Sequence, residues 1–144
     1  MLTTLITADP VPSLEHPPGH PWALRRAAGP AGRPALEIYT ADVLVDVLVL
    51  PGDWPLSPRI VRGACTVTWA GLRCAAAWGV LPAAGRGLLV QFRSGRFHTQ
   101  TCPADPVAVG GVFWFAQAAG RFRQVLVAHG GGQERHGLRA ARPC

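Results

Sequence analysis

The chain has 144 residues, 49% of them apolar and 15% charged, with a formal net charge of +6. That suits one domain around a single core and argues against disorder throughout, while no apolar run approaches the ~18 residues of a membrane-spanning helix. Lysine and asparagine are absent, all 14 cations are arginine, and Ala, Gly, Pro and Arg fill 67 positions, the mark of a GC-rich genome, so the positive charge is weak testimony to an acidic partner.

Seven of the 14 prolines fall within residues 1–34, which predicts a Pro-rich extended arm there, with Trp22, Leu24 and the Arg25-Arg26 pair able to dock on the domain or on another chain. The opening MLTTLITADPVPSLEH has neither the basic nor the apolar region of a secretion signal, so a cytoplasmic location is expected. His16 and His20 carry the spacing of two ligands on one helical turn, but the prolines between them forbid that helix, and no metal site follows.

The run ALEIYTADVLVDVLVL, residues 35–50, admits two readings, because Asp42 and Asp46 share a face in a strand and in a helix alike. Thr40 is a fit cap for a short helix. The β-branched Val43, Val45, Val47 and Val49 favour a strand. On a helix the two carboxylates would lie about 6 Å apart, close enough for acid–base cooperation, and on a strand about 13 Å apart, which is not. In either case an arginine partner or a solvated stripe is the expected setting for them.

After the loop PGDWPLSPR, CTVTW and LRCAAAWGV read as a hairpin about Ala70-Gly71, pairing Trp69 with Leu72, Val67 with Cys74 and Cys65 with Ala76. Cys65, Val67 and Trp69 then share a core face with Leu72, Cys74, Ala76, Trp78 and Val80, leaving Thr66, Thr68 and Arg73 for solvent. Cys65 and Cys74 become diagonal neighbours about 7–8 Å apart at Cα, beyond the disulfide span. With no C-x-x-C pair to build zinc, Cys65, Cys74, Cys102 and Cys144 are read as thiols.

GLLVQF and FHTQTC flank Arg93-Ser94-Gly95-Arg96, and VFWFAQ and FRQVLVA flank Ala118-Ala119-Gly120-Arg121, which predicts two further hairpins. His98 and Cys102 lie about 13 Å apart on one strand, too far for a thiolate–imidazole pair, and His129 is expected at the surface. With residues 35–50 and 107–109 the total is seven to nine short strands. The expected fold is all-β, an antiparallel β-sandwich or compact barrel over residues 35–128, burying Trp69, Trp78, Phe92, Phe113 or Trp114, and Phe122; the alternative is α+β with one short helix near 40–50. Residues 129–144 have no apolar face and are expected to form a flexible Gly/Arg-bearing tail.

No nucleophile elbow, phosphate loop or dinucleotide fingerprint occurs, so no catalytic residue, cofactor or metal is assigned. The recurring pattern is arginine beside an aromatic ring, at Phe92-Arg93, Arg96-Phe97 and Arg121-Phe122-Arg123. The function expected is a non-catalytic accessory module that binds a protein partner or itself through an aromatic/Arg sheet face, with Trp22, Arg93, Arg96, Arg121 and Arg123 as contact residues. A small barrel binding single-stranded nucleic acid requires those arginines to cluster beside an exposed ring. A small-ligand protein or enzyme requires a pocket where Trp69, Trp78 or Trp114 meets a polar group such as His98 or Asp46.

Overall fold

The computed structural model describes residues 3–5, 21–52, 59–82, 87–95, 100–130 and 132–144. In chain order the strands are β1 (Thr3–Leu5), β2 (Trp22–Ala28), β3 (Pro34–Thr40), β4 (Val43–Val49), β5 (Val61–Trp69), β6 (Leu72–Val80), β7 (Leu89–Arg93), β8 (Thr101–Ala104), β9 (Val107–Val109), β10 (Phe113–Ala119), β11 (Gln124–His129), β12 (Gly132–Gly137) and β13 (Arg139–Ala140). The fold is all-β, and among the described residues there is no α-helix, so the helix considered near 40–50 does not form. Among the described residues there are thirteen strands, nine of them (β3 to β11) over the span for which seven to nine were expected, and they make three sheets: a six-stranded sheet ordered β1-β9-β10-β6-β5-β13, a four-stranded sheet β12-β11-β7-β8 and a three-stranded sheet β2-β3-β4.

The sheets share one set of central strands. On β6 and β10, Ala75, Ala77, Trp114 and Ala116 pack against Val90, Phe92, Val125 and Val127 of the four-stranded sheet. From the opposite face, Ala76, Trp78, Val80, Phe113 and Phe115 pack against Trp22, Leu36, Ile38 and Leu48 of the three-stranded sheet. Covering both faces explains why Cys74–Val80 and Phe113–Ala116 are buried without alternation. It also removes the choice between Phe113 and Trp114, since both are buried, and it buries Thr66, which a one-sided hairpin would leave in water.

The β5–β6 hairpin has the register read from the sequence, with Trp69 opposite Leu72, Val67 opposite Cys74 and Cys65 opposite Ala76, and all four cysteines are free thiols. Residues 35–50 form two strands in place of one. They turn at Ala41 and Asp42, which both take positive φ (48° and 61°), the two-residue hairpin conformation that suits right-twisted strands. The reading of residues 118–121 as a hairpin loop is overturned: β10 pairs with β6 and β9, whereas β11 pairs with β7 and β12. Gly120, at φ 138°, carries the chain from one sheet to the other. Regular structure also reaches beyond residues 35–128. Residues 22–28 pair along their length with β3, and residues 132–137 with β11, because an edge strand is held by backbone hydrogen bonds and needs no apolar alternation.

Candidate functional site

The edges of two sheets meet beside Trp78. In β4 the register shifts so that Ile38 faces Asp46 and Tyr39 faces Leu44, leaving Val45 as an extra residue. A second bulge at Arg62 sets Gly63 opposite Trp78 in β5–β6. Gly63 has a steric reason to be glycine, because a Cβ there would stand 2.4 Å from the indole Nε1 of Trp78. With the ring laid across that backbone, Trp78 Nε1–H donates to Asp46 Oδ2 at 2.7 Å, and the Val47 amide donates to Asp46 Oδ1 at 2.9 Å. Trp78 also stacks on Phe115, with centroids 6.4 Å apart and planes at 11°.

Val45, Asp46, Gly63, Ala64, Cys65 and Trp78 line one wall of a cleft of about 320 Å³, and Arg139 to Arg142 line the other. The C-terminal segment runs along it in extended form. Arg139 and Ala140 pair in parallel with Cys65 and Thr66, Ala141 N–H donates to the Thr66 carbonyl at 2.9 Å, and Cys144 N–H donates to the Leu44 carbonyl at 3.0 Å. The terminus therefore bridges β5 of the central sheet and β4 of the three-stranded sheet.

Burial, with the Asp46 carboxylate beside it, pushes the Cys65 thiol up to about 12, so it stays protonated at neutral pH and is no nucleophile. Each Asp46 oxygen is engaged by an N–H donor, and Asp42 sits in the hairpin turn just before β4, not on one strand with Asp46. The partner of Asp46 is the Trp78 indole, where an arginine partner or a solvated stripe was expected. No group of three or more His, Cys, Asp or Glu side chains suited to a metal occurs among the described residues.

The contact residues read from the sequence are placed differently. Trp22 is 1% exposed, with its ring packed against Trp78 and Phe115 at 6.5 and 6.0 Å, so in this structure it is part of the core. At the crossing between sheets the Arg123 N–H donates to the Arg93 carbonyl and the Gly120 N–H, next to Arg121, to that of Arg73, each at 2.8 Å, which brings the backbones of Arg93 and Arg123 side by side. No exposed ring accompanies them among the described residues, since Phe92 is buried and Phe122 packs on it at 5.7 Å. Arg96 and His98 lie outside the described residues. His129 is 10% exposed and 3.2 Å from Glu134, whose carboxylate also accepts the Ile60 and Val61 amides at 2.8 and 3.3 Å; this ties the edge strand β12 to the start of β5 and corrects the surface placement.

Sequence reasoning missed Gly63, Arg139 and Arg142. An isolated glycine in a strand marks a close approach and was the available signal for the first; nothing in the polar tail signals the other two. Comparison with protein-family models, with curated proteins and with solved structures finds no match.

Proposed function

We propose that this chain is a non-catalytic interaction module, built as a sandwich of stacked sheets, which takes an extended polypeptide segment along the groove between β4 and β5. One observation carries the reading: an extended segment, residues 139–144, lies in that groove and is held by main-chain hydrogen bonds to Thr66 and Leu44. Strand addition of this kind draws affinity from the backbone and selectivity from the pockets beside it. The contact surface is thus moved from the aromatic/Arg face to a pair of sheet edges. Four free thiols suit a reducing compartment, in keeping with a cytoplasmic module.

A small-ligand role has a specific observation in its favour, the meeting of Trp78 and Asp46 at a cleft. It is the weaker reading, because Trp78 is only 3% exposed and both Asp46 oxygens are already occupied. The nucleic-acid reading has the neighbouring backbones of Arg93 and Arg123 in its favour and lacks the exposed stacking ring it needs among the described residues.

The test empties the groove by ending the chain after Leu138, with circular dichroism to verify the fold, and titrates it into a fluorescent peptide of residues 139–144. Saturable anisotropy change, absent with a scrambled peptide, is the expected result. Equal binding of both peptides, or of neither, contradicts the proposal.

A further inference from the structure

We infer that the groove accepts the tail of a second copy of this chain through the contacts it makes with its own, so that the protein self-associates by reciprocal exchange of residues 139–144. The inference rests on the groove reading above and adds the identity of the occupant. Its first support is an abrupt change in how the terminus is held. Up to Leu138 the chain is anchored: β12 makes six register pairs with β11, the Leu138 amide donates to the Arg123 carbonyl at 2.8 Å, and the Leu138 side chain packs on the core. Beyond Leu138, β13 is two residues long and both are exposed. A short exposed segment held by few bonds opens at lower cost than a fully paired strand.

The second support is what opening leaves behind. When residues 139–144 lift away, the groove side of β5 at Cys65 and Thr66 loses its strand partner, and an unpaired strand edge is a template for another chain. The third is chemical match. The tail presents two alanines between Arg139 and Arg142; Ala141 packs on the core shared with the three-stranded sheet, and Asp46 stands in the facing wall. A second copy carries the same residues in the same order, and its contacts would reproduce the intramolecular ones, so exchange is opposed only by the entropy of association and rises with concentration.

The experiment uses full-length chains. An acceptor carries Leu44→Cys and Cys144→Ser, and the donor is the unaltered chain with its exposed Cys144. Residues 44 and 144 are backbone hydrogen-bonded neighbours, the separation that disulfides bridge. Under mild oxidation the expected product is a covalent heterodimer, with a 44–144 disulfide mapped by mass spectrometry, that is lost when the donor carries Ala141→Pro and lacks the amide bound to Thr66. A control acceptor carries Leu89→Cys in place of Leu44→Cys, on the exposed Leu89 of the four-stranded sheet. Capture by the control at the same rate overturns the inference, as does the absence of a 44–144 product. Should Leu44→Cys misfold, light scattering on the unaltered chain decides: a dimer fraction that grows with concentration supports exchange, and a monomer throughout refutes it. If the tail peptide binds the emptied groove while no heterodimer forms, exchange fails and the groove reading stands; if neither occurs, both fail.

Discussion

Replacing Asp46 by alanine tests whether the groove wall is built as described. The Trp78 indole is 3% exposed, and its N–H donates to a carboxylate at 2.7 Å. Hydrogen bonds to charged groups contribute about 1.5–3 kcal/mol, and a buried donor left without an acceptor costs about 1–3 kcal/mol. Asp46 is itself only half-buried at the mouth of an open cleft, so water can approach the vacated donor and the lower part of that range applies, about 1.5–2 kcal/mol. For a chain of this length that corresponds to a fall in Tm of about 5–7 °C. Urea unfolding followed by tryptophan fluorescence, with thermal melts by circular dichroism, reads the change directly. Asp46→Asn retains an acceptor and should lose less than half as much. Both substitutions remove the negative charge beside Cys65, so its thiol pKa should fall and its reaction with a thiol reagent should quicken. An Asp46→Ala protein with unaltered stability would refute the hydrogen-bonded wall.

Three other outcomes follow from the same geometry. Glu134→Ala should cost about 2–3 kcal/mol in urea unfolding, because the carboxylate accepts the Ile60 and Val61 amides and faces His129; an effect under about 0.5 kcal/mol, the size of an ordinary surface change, would count against that tie. Ala70→Gly should stabilise by up to about 1 kcal/mol, since Ala70 holds φ at 50° in the β5–β6 turn, where a Cβ is penalised and glycine is not; a destabilised variant in the same melt would contradict the turn. Stability should also decline with alkaline pH. Burial, with Asp46 as a lesser cause, raises the folded Cys65 thiol from 9.0 to about 12, so between those values the unfolded state releases a proton that the folded state keeps, and stability present below pH 9 is lost as pH rises towards 12. The slope contributed is at most about 1.4 kcal/mol per pH unit. Cys65→Ala should shallow it in urea titrations from pH 8 to 11; Cys74, raised in the same direction by burial, leaves a remainder.

What was legible in the sequence was whatever depends on neighbours along the chain. The β5–β6 register follows from a two-residue turn at Ala70-Gly71, although Leu72, read as core-facing, is 60% exposed at the end of the hairpin. The turn at Ala41-Asp42 stayed hidden because this chain has no asparagine and fills positive-φ positions with alanine and aspartate, so a continuous valine-rich run conceals a reversal. Gly120 carries a real turn signal, but a local signal cannot say whether the strands on either side join one sheet or two. Trp22 looked available because prolines precede it, and only the packing of the three-stranded sheet shows that Trp78 and Phe115 claim its ring. For the groove, Asp46 and Trp78 were each singled out as candidates. Their meeting depends on two bulges, at Val45 and Arg62, and on a tail whose strand pairing is main-chain only.

The most direct test of the groove is backbone NMR of the chain ending at Leu138, titrated with unlabelled peptide of residues 139–144. Amide shifts concentrated at residues 43–47 and 63–67, together with the Trp78 indole, are the expected result. Shifts confined to Arg93, Arg121 and Arg123, or none at all, would contradict it.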